Sequence, residues 1–185
     1  MRLAKFLLLS GLATAAAPAA AGVTVIGNTA ARACFEAAES GAKGGEGLER
    51  CDEALAQESS LTERDATATY VNRGILKLRF GRLDEAVADF DTAIARDPRE
   101  GDAYVNKGMA TLKRQGNWRE AVGLFDEGLR KRTRRPAVAY FGRGAAHELG
   151  GDLKQAWLDY RQASLIEQKW RDPQVELARF TVRAR

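Results

Sequence analysis

Apolar side chains return along this chain first at helical spacing and then in a longer cycle. From Tyr70, Gly74 and Leu78 follow at steps of four, and Gly81 closes the run. Ala86, Phe90, Ala93 and Ile94 then form one stripe on a second helix. Asp97-Pro98 stops that helix, because proline lacks the amide proton and clashes with the preceding turn. The pattern predicts two short helices joined by a glycine turn.

The pair recurs. Gly81, Gly116 and Gly151 are spaced by 35 and 35, as are Leu83/Trp118/Leu153, Ala86/Ala121/Ala156, Phe90/Phe125/Tyr160 and Ala93/Gly128/Ala163. Upstream, Tyr70/Gly74, Tyr104/Gly108 and Tyr140/Gly144 step by 34 and 36. The offsets place one extra residue in the Gln115-Gly116-Asn117 turn and one before the last unit, where loops tolerate insertion. Glycine inside a helix costs about 1 kcal/mol against alanine, so its return at Gly74, Gly108 and Gly144 needs a reason. Close helix–helix approach supplies one: Gly74 is expected to sit against Ala86 and Ala93, with Phe90 filling the wider gap.

A degenerate unit precedes these three. Cys51 and Ala54 keep the spacing of Phe90 and Ala93, and Cys34 to Cys51 is 17 residues, as is Arg73 to Phe90. The cysteines then fall on facing helices of one hairpin, with the glycine-rich Gly41–Gly47 turn between them. Thr62-Glu63-Arg64-Asp65 reads as a helix start. At the other end, Asp172-Pro173 reads as cap and first residue of a last helix with Val175, Ala178 and Val182 on one face. That helix would cover the open end of the stack, with Trp170 at the joint.

These residues resemble the tetratricopeptide repeat. Its pattern of an aromatic, a glycine four residues on, then alanine, aromatic and a small residue is carried by Tyr70, Gly74, Ala86, Phe90, Ala93 and closing Pro98. Tyr104, Gly108, Ala121, Phe125 and Gly128 carry it again, as do Tyr140, Gly144, Ala156, Tyr160 and Ala163. Lys77, Thr111 and His147 stand where the family usually has a tyrosine-like residue, and Arg73, Lys107 and Arg143 where leucine is common. The resemblance implies an all-α solenoid of helical hairpins. It would comprise a degenerate unit over about 28–57, clear units over about 64–98, 101–133 and 136–168, and a capping helix over about 172–183.

The resemblance also implies a concave groove, lined by the first helix of each unit, that takes peptides or helices of partner proteins. By helical phase the inward positions are Val71, Ile75, Leu78 and Arg79, then Asp102, Val105, Met109, Leu112 and Lys113, then Val138, Phe141, Ala145 and Glu148. The candidate strip is therefore Val71, Ile75, Leu78, Val105, Met109, Leu112 and Phe141, edged by Arg79 and Lys113. The two cations would orient an acidic or C-terminal carboxylate. The competing reading packs these residues between neighbouring helices. Asn72 and Asn106 match asparagines with which some family members clamp a carboxylate. Gly142 stands in the third place, which favours structural hydrogen bonding instead.

The chain's 185 residues, 45% hydrophobic with four prolines, suit one soluble helical domain. Its first residues are expected to be a leader. Arg2 and Lys5 precede an apolar run from Phe6 to Ala17, and Ala19 and Ala21 give a small-x-small cleavage pattern. The run is shorter than the roughly 20 residues that span a bilayer. Residues 1–21 read as a cleaved signal peptide and 22–185 as the mature domain, exported to the periplasm. Removing the leader lowers the formal charge from +4 to +2, which weakens the case for a nucleic acid or other polyanion.

In an exported chain, an even pair of cysteines reads first as a Cys34–Cys51 disulfide, worth roughly 3 kcal/mol by chain entropy. Free buried thiols and a metal pair are the alternatives. With one histidine, His147, the metal set is poor. The run Arg130, Lys131, Arg132, Thr133, Arg134, Arg135 reads either as a solvated connector with cations at a helix C-terminus, or as a docking patch for anionic lipid headgroups or an acidic partner. No phosphate loop, nucleophile elbow or metal cluster emerges, so neither enzyme activity nor a cofactor is expected. The expected role is a protein- or peptide-binding scaffold of the bacterial envelope. The alternative is an accessory subunit that works through its convex face or basic run, its groove filled by its own chain, with Val23-Thr24-Val25-Ile26 free to lie across a neighbour.

Overall fold

The computed structural model describes Gly22, residues 29–41 and residues 45–180. The leader over 1–21, the segment 23–26 and the last residues, 181–183, of the expected capping helix lie outside the described residues. Within them the chain is all helical, with nine α-helices and no strand. They are α1 (Thr29–Ser40), α2 (Glu46–Ala56), α3 (Glu63–Arg79), α4 (Leu83–Arg96), α5 (Gly101–Gln115), α6 (Trp118–Arg130), α7 (Pro136–Leu149), α8 (Leu153–Ile166) and α9 (Asp172–Ala178).

Local chemistry sets these bounds. The Thr62 hydroxyl accepts the Asp65 amide at 3.1 Å and starts α3. Asp152 does the same for α8, accepting from the Gln155 amide at 3.1 Å. Gly81 and Gly151 take φ of +75° and +83°, the left-handed region that glycine enters without steric cost. The amides after them reach back to Lys77 and His147 carbonyls at 2.9 Å, closing α3 and α7. At α9 the sequence expectation shifts by one residue: Arg171, not Asp172, occupies the cap position and makes no side-chain cap bond.

The helices form hairpins α1–α2, α3–α4, α5–α6 and α7–α8, with α9 against α8. Successive first helices α1, α3, α5 and α7 also touch, making one continuous inner layer. Phe90, Phe125 and Tyr160 lie buried between the helices of their hairpins. A Cβ built at Gly74 would lie 2.5 Å from the Phe90 ring, and at Gly108 and Gly144 3.0 Å from Phe125 and Tyr160. The ring itself, more than Ala86 or Ala93, occupies the space that each glycine opens. Cys34 and Cys51 are disulfide-bonded, with Cα atoms 4.8 Å apart, and staple α1 to α2.

Charged pairs cross each junction between units. Asp52, Asp91 and Asp126 each directly follow the residue that fills a hairpin, Cys51, Phe90 or Phe125. They take Arg73 at 2.7 Å, Lys107 at 2.6 Å and Arg143 at 2.5 Å from the next first helix. Arg73 and Arg143 also grip nearly buried aspartates of their own hairpins, Asp89 and Asp159, through two nitrogens each at 2.7–3.0 Å. Burial opposes the charge on Arg73, but Asp89 and Asp52 outweigh it and hold its pKa above the ordinary value. Leu124 takes the equivalent place in the middle unit, so Lys107 has only the Asp91 rung. The cations that stand where leucine is common are thus the rungs of an ionic ladder.

Candidate binding groove

The inner layer carries the residues named from helical phase, but at very different depths. Val71 and Ile75 are fully buried, Leu78 nearly so, and Val105 is only 2% exposed. Val71, Ile75 and Leu78 belong to the core around Phe90, and Val105 to the core around Phe125. Val105 packs against α6, where a Cβ at Gly128 would lie 2.5 Å from it. Phe141 lies between Tyr160 and Trp170, with ring centroids 5.4 and 4.8 Å away. Met109 and Leu112 are half-buried, and Lys113 is exposed. Met109 packs on both cores, its sulfur 3.1 Å from a Cβ built at Gly142. The accessible centre of the inner layer is therefore α5, with Met109, Leu112 and Lys113.

Arg79 lies at the C-terminal end of α3, against α1. Its Nη1 reaches the Ala37 carbonyl at 3.4 Å, while its buried Nη2 has no hydrogen-bond partner among the described residues. Burial lowers its pKa, and the nearby Glu39 partly opposes this.

The two asparagines differ. Asn106 Nδ2 donates to the Asp102 carbonyl at 2.8 Å, one turn back on its own helix. Asn72 is fully buried. Gly22 sits over it: a Cβ on Gly22 would lie 2.9 Å from Asn72 Oδ1 and 2.9 Å from the Phe35 ring. Gly22 is itself buried, and its amide donates to the Glu39 carboxylate. The N-terminal end of the inner layer is thus occupied by the chain's own backbone.

The basic run divides into paired and unpaired cations. Arg130 pairs with Glu127 on the same helix. Arg134 folds back onto Asp102, with its backbone amide at 3.0 Å and Nε at 2.7 Å, and the Thr133 hydroxyl donates to the same carboxylate. Glu100 also meets Arg134, at 3.3 Å, and burial pushes its pKa up. Among the described residues, Lys131, Arg132 and Arg135 form no ion pair. Thr133 and Arg134 therefore fasten the joint before α7, Arg130 is held within its own helix, and the remaining cations face solvent or lie half-buried.

The groups needed for bond-making chemistry are scattered. His147 is 3.8 Å from Asp159, which Arg143 already holds. Among the described residues no His, Cys, Asp and Glu cluster could hold a metal, and no helix is long and apolar enough to cross a membrane. Sequence reasoning missed the ionic ladder. Its signal was present, since each rung joins the residue before a repeat glycine to the residue after a hairpin-filling side chain.

The sequence matches the tetratricopeptide-repeat family over residues 71–115 and 111–173. No curated protein matches it. Solved structures with the same fold include the TPR domain of Arabidopsis OM64, at 20% identity and a TM-score of 0.59, covering 64% of this chain and 96% of that one. A double mutant of MamA from RS-1 matches at 18% identity and a TM-score of 0.59, over 80% of this chain and 76% of its own. MamA from AMB-1 matches at 18% identity and a TM-score of 0.57, over 76% and 79%.

Proposed function

Because the chain belongs to the tetratricopeptide-repeat family, whose domains typically bind protein partners, we propose that it is a non-catalytic scaffold of the bacterial envelope. Its binding surface is the centre of the inner layer, where Met109 and Leu112 offer apolar contact and Lys113 offers charge. The exposed Lys113 ammonium beside half-buried Met109 and Leu112 carries this reading, because it suits a partner's carboxylate. The disulfide supports export, since such bonds persist in oxidising compartments. Sequencing the N-terminus of the exported protein tests that address; Gly22 is expected first. No cofactor is required.

Photocrosslinking from position 112 in cells tests the groove. Wild type is expected to capture partners that a Met109→Glu/Lys113→Glu variant loses. Identical partner sets would count against groove binding.

A second reading rests on Gly22. Its burial against Phe35 and Asn72 supports a groove closed at one end by the chain itself. The protein would then be an accessory subunit that docks through its outer surface. Weak contact with anionic lipid through Lys131, Arg132 and Arg135 belongs to this reading, and vesicle sedimentation with and without anionic lipid tests it. Replacing Gly22 by Trp would unseat the segment. Enhanced crosslinking from position 112 would then favour the open groove, and no change the accessory role.

A further inference from the structure

One face of α8 breaks the pattern of the helices before it. On α4, the outward stripe at steps of four, three and four is Asp84, Ala88, Asp91 and Ala95, all exposed. Its two carboxylates take Arg114 at 2.9 Å and Lys107 at 2.6 Å from α5. On α6 the stripe is Arg119, Gly123, Asp126 and Arg130. A small residue thus holds the second place on both helices, and at the third an aspartate receives the next unit. On α8 the stripe reads Lys154, Leu158, Arg161 and Leu165, again all exposed. Charge has changed sign at the rung, and the places held by Ala88 and Ala95 on α4, and by Gly123 and Arg130 on α6, are taken by leucines, 39% and 56% exposed.

Nothing among the described residues answers these changes. α9 has 7 residues where α3, α5 and α7 have 17, 15 and 14, so the cover over α8 is partial. Arg161 leans on the Trp157 ring at 5.5 Å and makes no ion pair among the described residues. Leu158, Arg161 and Leu165 border a surface hollow of about 280 Å³ against Tyr140 of α7. Leucines seven residues apart, alternating with cations seven residues apart, make a seam for a second helix.

We infer that this seam is a docking site for an amphipathic acidic helix of another protein, with leucine-like residues and carboxylates each recurring every seven positions. Charge decides the occupant. The chain's own end, Thr181-Val182-Arg183-Ala184-Arg185, is basic and would be repelled. A second copy offers α2 and α4 as its most acidic helices, but Glu46 and Glu53 pair with Arg50, Asp52 and Asp89 with Arg73, and Asp84 and Asp91 with Arg114 and Lys107. Neither helix exposes a large apolar side chain. The site lies on second helices, so it stands independently of the inner-layer groove.

The test uses the full mature chain and two labelled synthetic helical peptides. Both carry leucine and a charged residue every seven positions on one face, one with glutamate and the other with lysine. The glutamate peptide is expected to bind by fluorescence anisotropy at least about tenfold tighter than the lysine peptide. Lys154→Glu/Arg161→Glu should reverse that preference, which also shows that the variant is folded. Leu158→Ser/Leu165→Ser should weaken the glutamate peptide by about tenfold, with the circular dichroism spectrum unchanged. Failure of both peptides to bind, or a preference the α8 variants leave alone, would overturn the assignment. So would loss of binding only in the Met109→Glu/Lys113→Glu variant, or self-association that the α8 leucines control and the peptide does not compete.

Discussion

Arg143 holds Asp159 through two nitrogens, at 2.9 and 2.7 Å, in a site where the aspartate side chain is only 6% exposed. The pair sits within one hairpin, and the same guanidinium reaches Asp126 of the hairpin before it. Arg143→Leu would supply the residue common at this place in the family and strand a buried carboxylate. It is expected to cost about 3 kcal/mol in urea unfolding, most of which Arg143→Leu/Asp159→Leu recovers. Lys107→Leu in the middle unit, where Leu124 already replaces the acid, should cost under about 1 kcal/mol.

Reduction of the Cys34–Cys51 bond should act locally. Replacing both cysteines by alanine is expected to lose about 3 kcal/mol. Amide exchange should rise in α1 and α2 and stay unchanged in α7 and α8, because each hairpin touches only its neighbours. Uniform exchange along the chain would contradict that linear coupling.

Two glycine substitutions should have opposite signs. At Gly74 a methyl group meets the Phe90 ring at 2.5 Å, and Gly74→Ala is expected to destabilise by about 1–3 kcal/mol despite the better helix propensity. At Gly123, inside α6, nothing lies within 4 Å of the new Cβ. Gly123→Ala should stabilise by about 0.5–1 kcal/mol. Thermal unfolding of the two variants compares them directly.

Tyr160 should make the fold sensitive to alkali. Its burial, and then the Glu148 carboxylate that its hydroxyl meets at 2.9 Å, raise its pKa. Folded protein keeps the phenol neutral while unfolded chain ionises near the ordinary value of about 10. The stabilisation is therefore full below that value and falls as pH rises beyond it. Tyr160→Phe should cost about 1 kcal/mol at neutral pH and show a shallower alkaline loss in urea titrations.

The hairpins were legible in the sequence because glycine, alanine and an aromatic recur at fixed distances and each serves a local contact. Turns at Gly81 and Gly151, the start at Thr62 and the cysteine pair follow from neighbours along the chain or from one repeat. Depth in the inner layer was not legible. Val71 on α3 and Met109 on α5 both phase inward, yet one is sealed and the other half-open, and that depends on which helix lies beside each. Gly22 over Asn72 was equally hidden, because a contact fifty residues apart in sequence leaves no periodic trace. The ladder lies between these cases: its residues repeat, but their partnership appears only when adjacent hairpins are set side by side.

Pulled from its two ends, a stack joined only between neighbours is a set of springs in series. Each full unit of 35 residues should yield as one step and release about 120 Å of contour, at roughly 3.3–3.6 Å per residue. The first hairpin cannot pay out its whole length, because the bond between Cys34 and Cys51 locks the 17-residue span inside it. Under tension the molecule is therefore unevenly extensible, with a short inextensible link at one end.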